Sequence, residues 1–454
     1  MNQHKGSLDF RGNTAQAVQD AALRAALAHF TKVFAGLRTN GFKGIPAEEW
    51  REKASQVRIK VLDNLHEYLD QFSKAASKAG AVVHRAVDAQ SARDTVAEIL
   101  NAHKAENVVK SKSMVTEEIH LNAHLEEKGL RVIETDLGEY IVQIAGEKPS
   151  HIIAPAAHKS RQQVGRLFAE KLGMDYSDDP EVLVKAARKV LREEFLLADA
   201  GISGANMAVA STGSLVIFTN EGNGRMCTTV PPLHIAVLSI EKMVPTLADL
   251  PIFMRLLPRS ASGQTLSSYL SMITGSRKSG ENTGAQELHI VLVDNGRTEI
   301  LRGEFRDILK CIRCSACLNV CPVYRIVGGH AYEFTYPGPM GIVLTTLLNG
   351  MKTAHPLLDG TTLCGACADV CPVKVPLPGL LAGLRRKRVE EGLTSTVERC
   401  AMTAYGLAAT SETLFNAGRH VCRVAWPLLV RAGKDLGLER LPTPAKTSFR
   451  RSIR

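Results

Sequence analysis

The sequence predicts a multidomain protein of the α/β plus α class, and three observations support this. The chain has 454 residues, more than a single hydrophobic core usually serves. Short apolar runs alternate with helical patterns between residues 80 and 300, whereas the flanking segments show helical periodicity alone. Seven of the ten cysteines fall between residues 311 and 371. We therefore expect four segments: N-terminal helices (1–79), an α/β domain (80–300), a helical cysteine-rich domain (301–379) and a helical, basic C-terminal region (380–454).

Amphipathic helices are predicted for residues 1–79, because apolar residues recur there at helical spacing. The first stripe consists of Val18, Leu23, Leu27, Phe30, Phe34 and Leu37. After a break at residues 41–46, the second begins near Ala47 and consists of Trp50, Ala54, Val57, Val61, Leu65, Leu69 and Phe72. Both stripes are interpreted as core or subunit-contact surface.

Strands and helices alternate from residue 80, which is typical of a mostly parallel sheet covered by helices. The predicted strands are 81–84, 107–109, 131–133, 151–153, 214–218, 235–238 and 289–293. The predicted helices are 92–102, 116–128, 159–172 and 180–197. Residues 259–285 are rich in glycine and serine and are predicted to form an exposed loop. Helices are expected again at 341–351, at 380–392 and over most of the C-terminal region, with disorder after Leu441.

Two cysteine motifs dominate the third segment. The first, Cys311-Ile-Arg-Cys314-Ser-Ala-Cys317-Leu-Asn-Val-Cys321-Pro322, has the C-x2-C-x2-C-x3-C-P spacing of bacterial two-cluster ferredoxins. The second, Cys364-Gly-Ala-Cys367-Ala-Asp-Val-Cys371-Pro372, has the same spacing without its first cysteine. In such ferredoxins the fourth cysteine of each motif serves the other cluster. This rule assigns one cluster to Cys311, Cys314, Cys317 and Cys371, and the other to Cys321, Cys364 and Cys367.

The second cluster lacks a fourth cysteine, because the position three residues before Cys364 is Thr361. Three interpretations stay open: a [3Fe–4S] cluster, a [4Fe–4S] cluster with a non-cysteine ligand, or completion by Cys400, Cys422 or a partner's residue. A pair of zinc sites is the alternative chemistry. Zinc usually takes two C-x2-C pairs, so the four-cysteine run ending in Cys-Pro favours iron and sulfur.

A ligand pocket is also predicted in the α/β domain, since ligands bind at the carboxyl ends of parallel strands. Its candidate residues follow predicted strands or are titratable: Lys112, Ser113, Glu134, Asp136 and His158. Lys110-Ser111-Lys112-Ser113 is interpreted as an anion site or as ordinary helix capping. Turns of small residues at 200–206, 211–213 and 221–225 would let a ligand approach the backbone. His158 and His234 are acid–base candidates, with a structural role as the alternative.

No G-x-G-x-x-G or Walker A sequence occurs, so the chain shows no fingerprint for NAD, FAD or ATP. Two-electron oxidations use organic carriers such as nicotinamide or flavin. We therefore expect one subunit of a larger oxidoreductase rather than a complete enzyme. The catalytic residue is left unassigned.

Composition places the chain among ordinary globular proteins, with 45% hydrophobic and 22% charged residues. The sequence begins without an apolar leader and has no run of 18 apolar residues, so neither secretion nor a membrane span is predicted. Clustered cysteines indicate a reducing compartment, the cytoplasm. The net charge is +10, and residues 380–454 contain 14 Lys and Arg against 6 Asp and Glu. This basic tail is interpreted as a solvated face or as a contact for nucleic acid, an anionic membrane surface or an acidic partner.

The sequence resembles the lactate utilization protein B family, the iron–sulfur subunits of bacterial L-lactate oxidation systems. Besides both cysteine motifs, the stretches behind this resemblance are VVKSKSMVTEEIHLN (108–122), ETDLGEYIVQ (134–143), PSHIIAPAAHKSR (149–161) and GISGANMAVASTGSLVIFTNEGNGR (201–225). The resemblance extends from the N-terminal helices to about residue 400, so the basic tail lies outside it.

The resemblance implies a lactate-utilization-type α/β domain, related in fold to sugar-phosphate isomerases and CoA transferases. It implies two [4Fe–4S] clusters, the second with three cysteine ligands. It further implies two partner subunits, one cysteine-rich and one sharing the α/β domain, that act together in converting L-lactate to pyruvate. No specific nucleic acid is expected, and membrane contact is peripheral at most. The rival hypotheses are an iron–sulfur redox sensor that binds nucleic acid through the basic tail, and a self-contained dehydrogenase that uses the three-cysteine cluster as a Lewis acid.

Overall fold

The computed structural model describes residues 8–433, 443 and 445, and the chain divides into two units, Met1–Arg385 and Arg386–Arg454. Four helices come first: α1 (Phe10–Gln19), α2 (Ala21–Gly41), α3 (Ala47–Asp63) and α4 (Leu65–Lys78). The second helix predicted from the sequence is divided into α3 and α4 in the structure. The division occurs at Asn64, whose backbone leaves helical geometry with φ −126° and ψ 30°. In the first stripe Leu27 is buried, but Val18 and Leu37 are 43% and 44% exposed.

Ten strands follow in the first unit, and they form two sheets. They are β1 (Ala81–Ala86), β2 (Asn107–Lys110), β3 (Arg131–Glu134), β4 (Ala200–Ser203), β5 (Met207–Val209), β6 (Ser214–Thr219), β7 (Leu233–Ser239), β8 (Met243–Val244), β9 (Tyr269–Ile273) and β10 (Glu287–Val293). Six of them form an entirely parallel sheet in the order β1-β10-β7-β4-β2-β3. The remaining four form a mixed sheet in the order β8-β5-β6-β9.

Helices flank and connect these strands. They are α5 (Ala89–Ala102), α6 (Met114–Glu118), α7 (Leu121–Glu127), α8 (Leu137–Ile144), α9 (Arg161–Leu172), α10 (Pro180–Leu197), α11 (Asn223–Thr229), α12 (Leu250–Ser262) and α13 (Arg297–Arg302). Most strands and helices lie where the sequence predicts them.

Both faces of the parallel sheet are buried, as its continuous apolar strands predict. In β7, Ile235 and Val237 belong to the apolar cluster formed with α5, α6 and α7. The alternate residues Ala236 and Leu238 belong to the cluster formed with α3, α4 and the mixed sheet. Phe72 of α4 is fully buried in that second cluster, and burying such a ring contributes about 2 kcal/mol. The stripe on α3 and α4 is therefore core.

Several predicted elements are corrected. Residues 151–153 form bends, not a strand, because the Nδ1 atom of His151 accepts hydrogen bonds from the backbone N–H groups of Ile153 and Ala154. The strand at 214–218 belongs to the mixed sheet as β6. The predicted loop at 259–285 contains the end of α12 and the whole of β9, which pairs antiparallel with β6. The predicted helix at 116–128 is divided into α6 and α7 because His120 has a positive φ of 54°.

The turn at residues 211–213 serves packing, which corrects its interpretation as a ligand-approach site. Gly213 has φ +68°, and a Cβ there would overlap the backbone nitrogen of Ala76 in α4. The glycine therefore permits the close contact of α4 with the mixed sheet.

The cysteine region is helical, as predicted. Its helices are α14 (Ala316–Val320), α15 (Tyr324–Val327), α16 (Gly338–Asn349), α17 (Met351–Ala354), α18 (Ala366–Asp369) and α19 (Leu377–Glu390), the last of which crosses the boundary between the units. The second unit continues with α20 (Thr396–Thr410) and α21 (Glu412–Ala432). The predicted disorder after Leu441 concerns residues that lie almost entirely outside the described ones. No helix in the described part of the chain is long and apolar enough to cross a bilayer.

Candidate functional site

Four cysteines converge on one cavity in the first unit. Cys311, Cys314, Cys317 and Cys371 line it, together with apolar side chains such as Met340. Cys317 lies on α14, and Cys371 follows α18 more than fifty residues later in the chain. The structure thus brings together the four cysteines that the spacing rule assigns to one cluster.

The other three cysteines converge on a second cavity. Cys321, Cys364 and Cys367 line it, and Thr361 and Thr362 lie on the same wall. Thr361, at the position of the missing cysteine, accepts a hydrogen bond from the backbone N–H of Leu363 at 3.2 Å. None of the four cysteines of the first cavity is exposed, whereas Cys364 of the second cavity is exposed.

Backbone geometry explains how such short segments wrap these cavities. Arg313 and Ser315 have positive φ values of 61° and 60°, which turns the chain tightly between the cysteines. Backbone N–H groups donate to sulfurs of both sites, among them Arg313 to Cys311 at 3.4 Å, Tyr324 to Cys321 at 3.5 Å and Val375 to Cys371 at 3.3 Å. Hydrogen bonds of this kind stabilise sulfur that carries negative charge.

Burial raises the pKa of the thiols at Cys314, Cys317, Cys321 and Cys371, and raises that of Cys367 to about 11. Neighbouring cysteines add to the rise, because converging thiolates repel one another. A bound cation would favour deprotonation of these sulfurs.

Cys364, another of the seven cysteines, has a lowered pKa instead of a raised one. A hydrogen bond from Thr362 is the main reason that the pKa of exposed Cys364 is lowered. No carboxylate or imidazole lines either cavity among the described residues. Sulfur-only sites with four and three cysteines fit iron–sulfur clusters.

Three cysteines are not among the residues that line these cavities. Cys227 is buried in α11 beside Thr135, and burial raises its pKa to about 12. Cys400 on α20 and Cys422 on α21 belong to the second unit, and both are exposed. The completion of the second site by Cys400 or Cys422 stays a prediction.

A larger cavity of about 430 Å³ lies at the carboxyl edge of the parallel sheet. Its wall includes residues that follow β2, β3, β4 and β7, the position where ligands bind in parallel α/β sheets. Lys112, Ser113 and Asp136, three of the five predicted pocket residues, line it. So do Gly204, Ala205, Asn206, Glu221 and Asn223 from the predicted small-residue turns.

Glu134 and His158 do not line this cavity, which corrects the predicted grouping of five residues. Glu134 is buried in an ion pair of 2.6 Å with the fully buried Nζ of Lys110. Lys110 also contacts Glu117 at 3.0 Å, so it is neutralised by structural carboxylates and is not part of an anion site.

His158 instead contacts Ser150 through Nδ1 at 2.8 Å and Glu147 through Nε2 at 2.7 Å. Burial lowers the pKa of His158. His234 is buried against Ser203 at 2.7 Å, and burial lowers its pKa to about 3. Both histidines are hydrogen-bonded and neither lines the cavity, which favours the structural interpretation.

Two cations on the cavity wall were not singled out from the sequence. Lys242 follows β7, and burial, reinforced by the charge of Arg313, lowers its pKa to about 7. Arg313 lies between two cysteines of the first motif, at a position that the spacing rule leaves unspecified. No periodicity or motif in the sequence marks either residue.

A buried network of ion pairs joins the cysteine segment to this sheet edge. Glu241 pairs with Arg297 at 2.8 Å and with Arg313 at 3.1 Å, and Arg297 pairs with Glu118 at 2.6 Å. Burial opposes ionisation of Glu241, but the charges of Arg297 and Arg313 outweigh it and hold its pKa at about 2. The network fixes Arg313 between the first cysteine site and the cavity.

Comparison with known proteins gives two family matches. Residues 69–293 match the LUD domain, and residues 307–375 match the 4Fe-4S dicluster domain. The second match covers all seven cysteines that line the two cavities. It supports iron–sulfur clusters over zinc as the groups these cysteines hold.

Curated relatives match nearly the whole chain. "Lactate utilization protein B" of Bacillus cytotoxicus is 44% identical over 97% of this chain and 96% of its own. "Lactate utilization protein B" of Shouchella clausii is 47% identical over 89% and 87%. The "Uncharacterized electron transport protein YkgF" of Escherichia coli is 42% identical over 96% and 92%.

Among solved structures, a DUF162 family protein from Deinococcus radiodurans is similar to 50% of this chain and 98% of its own, at 17% identity. The TM-score of 0.30 is too low for this likeness to support a conclusion.

Proposed function

The chain belongs to the lactate utilization protein B family, and on this basis we propose that it is the iron–sulfur electron-transfer subunit of a multi-subunit system that oxidises L-lactate to pyruvate. The observation that supports the proposal most directly is the pair of neighbouring cysteine-lined cavities. Clusters bound there would supply one-electron transfer. The names of the relatives supply the link to lactate.

The two proposed cluster sites are close enough for electrons to pass from one to the other. Cys317 and Cys321 lie four residues apart around α14 and line different cavities. At the helical rise, four residues span about 6 Å along the axis. An electron entering one site therefore needs only a short step to reach the other.

We propose a [4Fe–4S] cluster on Cys311, Cys314, Cys317 and Cys371, and a second cluster held by three cysteines. The second is a [4Fe–4S] or a [3Fe–4S] cluster, with Thr361 on its wall. The proposal includes two partner subunits, one cysteine-rich and one sharing the α/β domain. It places the complex in the cytoplasm, where thiols stay reduced.

Electron paramagnetic resonance on the anaerobically purified complex tests this function. L-Lactate should reduce the clusters of the wild-type complex, and omission of the partner subunits should abolish or slow the reduction. The variant Cys317→Ser should lose the signal of the first site. Clusters that dithionite reduces but L-lactate leaves oxidised in the full complex would contradict the proposal.

A further inference from the structure

The 430 Å³ cavity combines cationic side chains with apolar walls. Lys112, Lys242 and Arg313 contribute the positive groups. Ile152, Ile217 and Leu257 are among the apolar residues of the wall. A site of this composition suits an organic anion that also carries apolar groups.

Two residues of this wall each have a buried polar atom without a protein partner. The Nζ atom of Lys112 and the Oδ1 atom of Asn223 are both buried, and neither forms a hydrogen bond within the described part of the chain. Lys112 offers only donors, whereas Oδ1 of an asparagine only accepts. Leaving such groups unsatisfied is costly, so the wall is complementary to a ligand that has both an acceptor and a donor.

Lys242 adds a second unmatched group. The residue is 7% exposed, and its ammonium forms no ion pair or hydrogen bond with a described residue. A bound anion in the cavity would supply a counter-charge to this buried ammonium.

The cavity also lies next to the first cysteine site. Arg313 lines the cavity, and its backbone N–H donates to the sulfur of Cys311 at 3.4 Å. A ligand that contacts the guanidinium is therefore separated from a cysteine sulfur by a single residue of this chain.

From these observations we propose that the cavity binds a 2-hydroxycarboxylate monoanion beside the first iron–sulfur site. Lys112 and Lys242 bind the carboxylate, and Asn223 Oδ1 accepts a hydrogen bond from the hydroxyl group. This deepens the proposed function by giving this chain, rather than a partner, the substrate-binding site, and it depends on that function for the choice of lactate as the natural ligand.

The charges of the wall favour a monoanion over phosphate or a dicarboxylate. Asp136 and Glu221 line the cavity together with the cations. Asp136 is occupied as the N-cap of α8, where it accepts from the N–H groups of Gly138 and Glu139. Two carboxylates nearby would repel a second negative charge on the ligand.

Isothermal titration calorimetry on the cluster-loaded chain tests the site with a matched pair of ligands. 2-Hydroxyisobutyrate has the carboxylate and the hydroxyl but no hydrogen on C2, so it cannot be oxidised to a ketone, and isobutyrate lacks only the hydroxyl. We expect one saturable site for the hydroxy acid, and about fivefold weaker binding of isobutyrate, the effect of one lost neutral hydrogen bond.

Three substitutions assign the contacts. Lys112→Met and Lys242→Met should each weaken both ligands about tenfold or more, as expected for loss of a charge-assisted hydrogen bond. Asn223→Ala should weaken only the hydroxy acid and so abolish the discrimination between the two ligands. The control Lys128→Met changes an exposed lysine at the end of α7 and should leave both affinities unchanged.

Several results would contradict the proposal that this cavity binds a 2-hydroxycarboxylate. They are the absence of saturable binding of 2-hydroxyisobutyrate, equal affinities for both ligands, tighter binding of inorganic phosphate, or unchanged affinity in both lysine variants. The ligand comparison uses the wild-type chain, so it decides the question even if a variant fails to load its clusters. Addition of 2-hydroxyisobutyrate should also alter the resonance signal of the reduced first cluster, and an unaltered signal would refute the proximity.

The two proposals fail separately. If the chain binds the hydroxy acid but lactate reduces no cluster in the complete complex, the electron-transfer function is wrong and the binding site stands. If lactate reduces the clusters although the chain alone binds no hydroxy acid, the site is wrong and the function stands.

Discussion

Arg313 of the cysteine segment forms a buried ion pair of 3.1 Å with Glu241, which follows β7 at the carboxyl edge of the parallel sheet. The same carboxylate pairs with Arg297 at 2.8 Å. Breaking such a buried pair by removing one partner typically costs about 3–5 kcal/mol, because the other charge is left uncompensated. The pair therefore holds the first cysteine loop in a fixed position against the cavity.

Cys371→Ser should abolish the first cluster, although Cys371 belongs to the second motif. The reason is that its side chain lines the cavity of Cys311, Cys314 and Cys317. Iron analysis should show a fall to about half of the seven or eight irons expected for two clusters. Resonance spectra should retain the signal of the three-cysteine site.

Cys321→Ser provides the control, because each motif contributes its last cysteine to the site of the other motif. Cys321 belongs to the first motif, but its side chain lines the cavity of Cys364 and Cys367. The variant Cys321→Ser should therefore abolish the second cluster. Loss of the opposite signal in either variant would show that each motif binds its own cluster.

Thr361→Cys should supply a fourth thiolate to the second site, because Thr361 lies on its wall at the spacing of a cluster ligand. We expect oxidised protein to lose any [3Fe–4S] signal and to retain a [4Fe–4S] cluster, as measured by electron paramagnetic resonance and iron content. Thr353→Cys on α17 adds a thiol elsewhere and should leave the spectrum unchanged. A [3Fe–4S] signal that persists in Thr361→Cys would contradict the placement.

Arg58→Met should destabilise the first unit by about 3–5 kcal/mol. The guanidinium is fully buried and donates to the backbone oxygens of Glu241, Met243, Leu309 and Lys310, at 2.5, 3.1, 2.7 and 3.1 Å respectively. The substitution leaves these buried acceptors without a donor, so both the sheet edge and the start of the cysteine loop lose their support. Thermal unfolding measured by circular dichroism should show a lower midpoint.

Arg85→Met is the matched control for this substitution. Arg85 forms an exposed ion pair with Asp70, and its side chain is 52% exposed. Exposed pairs contribute less than about 1 kcal/mol. A loss in Arg85→Met as large as that in Arg58→Met would refute the proposed role of Arg58.

Glu139→Gln should reduce the pH dependence of stability. Burial, reinforced by the charge of Glu134, raises the pKa of Glu139 from 4.5 to about 8. Between these values the folded state holds a proton that the unfolded state has released, so stability falls as pH rises through this window. From pH 6 to 8 the loss from this carboxyl is about 2 kcal/mol.

The measurement is the midpoint of thermal unfolding at several pH values under anaerobic conditions. Glu139→Gln should show a smaller fall between pH 6 and 8 than the wild type, because glutamine does not titrate. Glu127→Gln, at the exposed end of α7, should follow the wild type. Parallel curves for all three proteins would show that Glu139 is not protonated in the folded state.

The parallel sheet and most helices were predictable because their patterns are local. Apolar strands such as Leu233–Ser239 are buried on both faces, and their composition alone indicates this. Two of the errors arose where a local conformation interrupts the pattern. His151 turns its own loop through two hydrogen bonds to Nδ1, and a left-handed His120 divides a predicted helix.

The sequence by itself determined the two cysteine sites, because cluster ligation requires sulfurs at short, fixed spacings that are visible along the chain. Only the tertiary structure decided which charged residues belong to the cavity. Lys110 and Glu134 neutralise each other inside the domain, whereas Lys112, Lys242 and Arg313 line one cavity although up to two hundred residues separate them. Their proximity depends on strand order and on buried ion pairs, and neither leaves a periodic signal in the sequence.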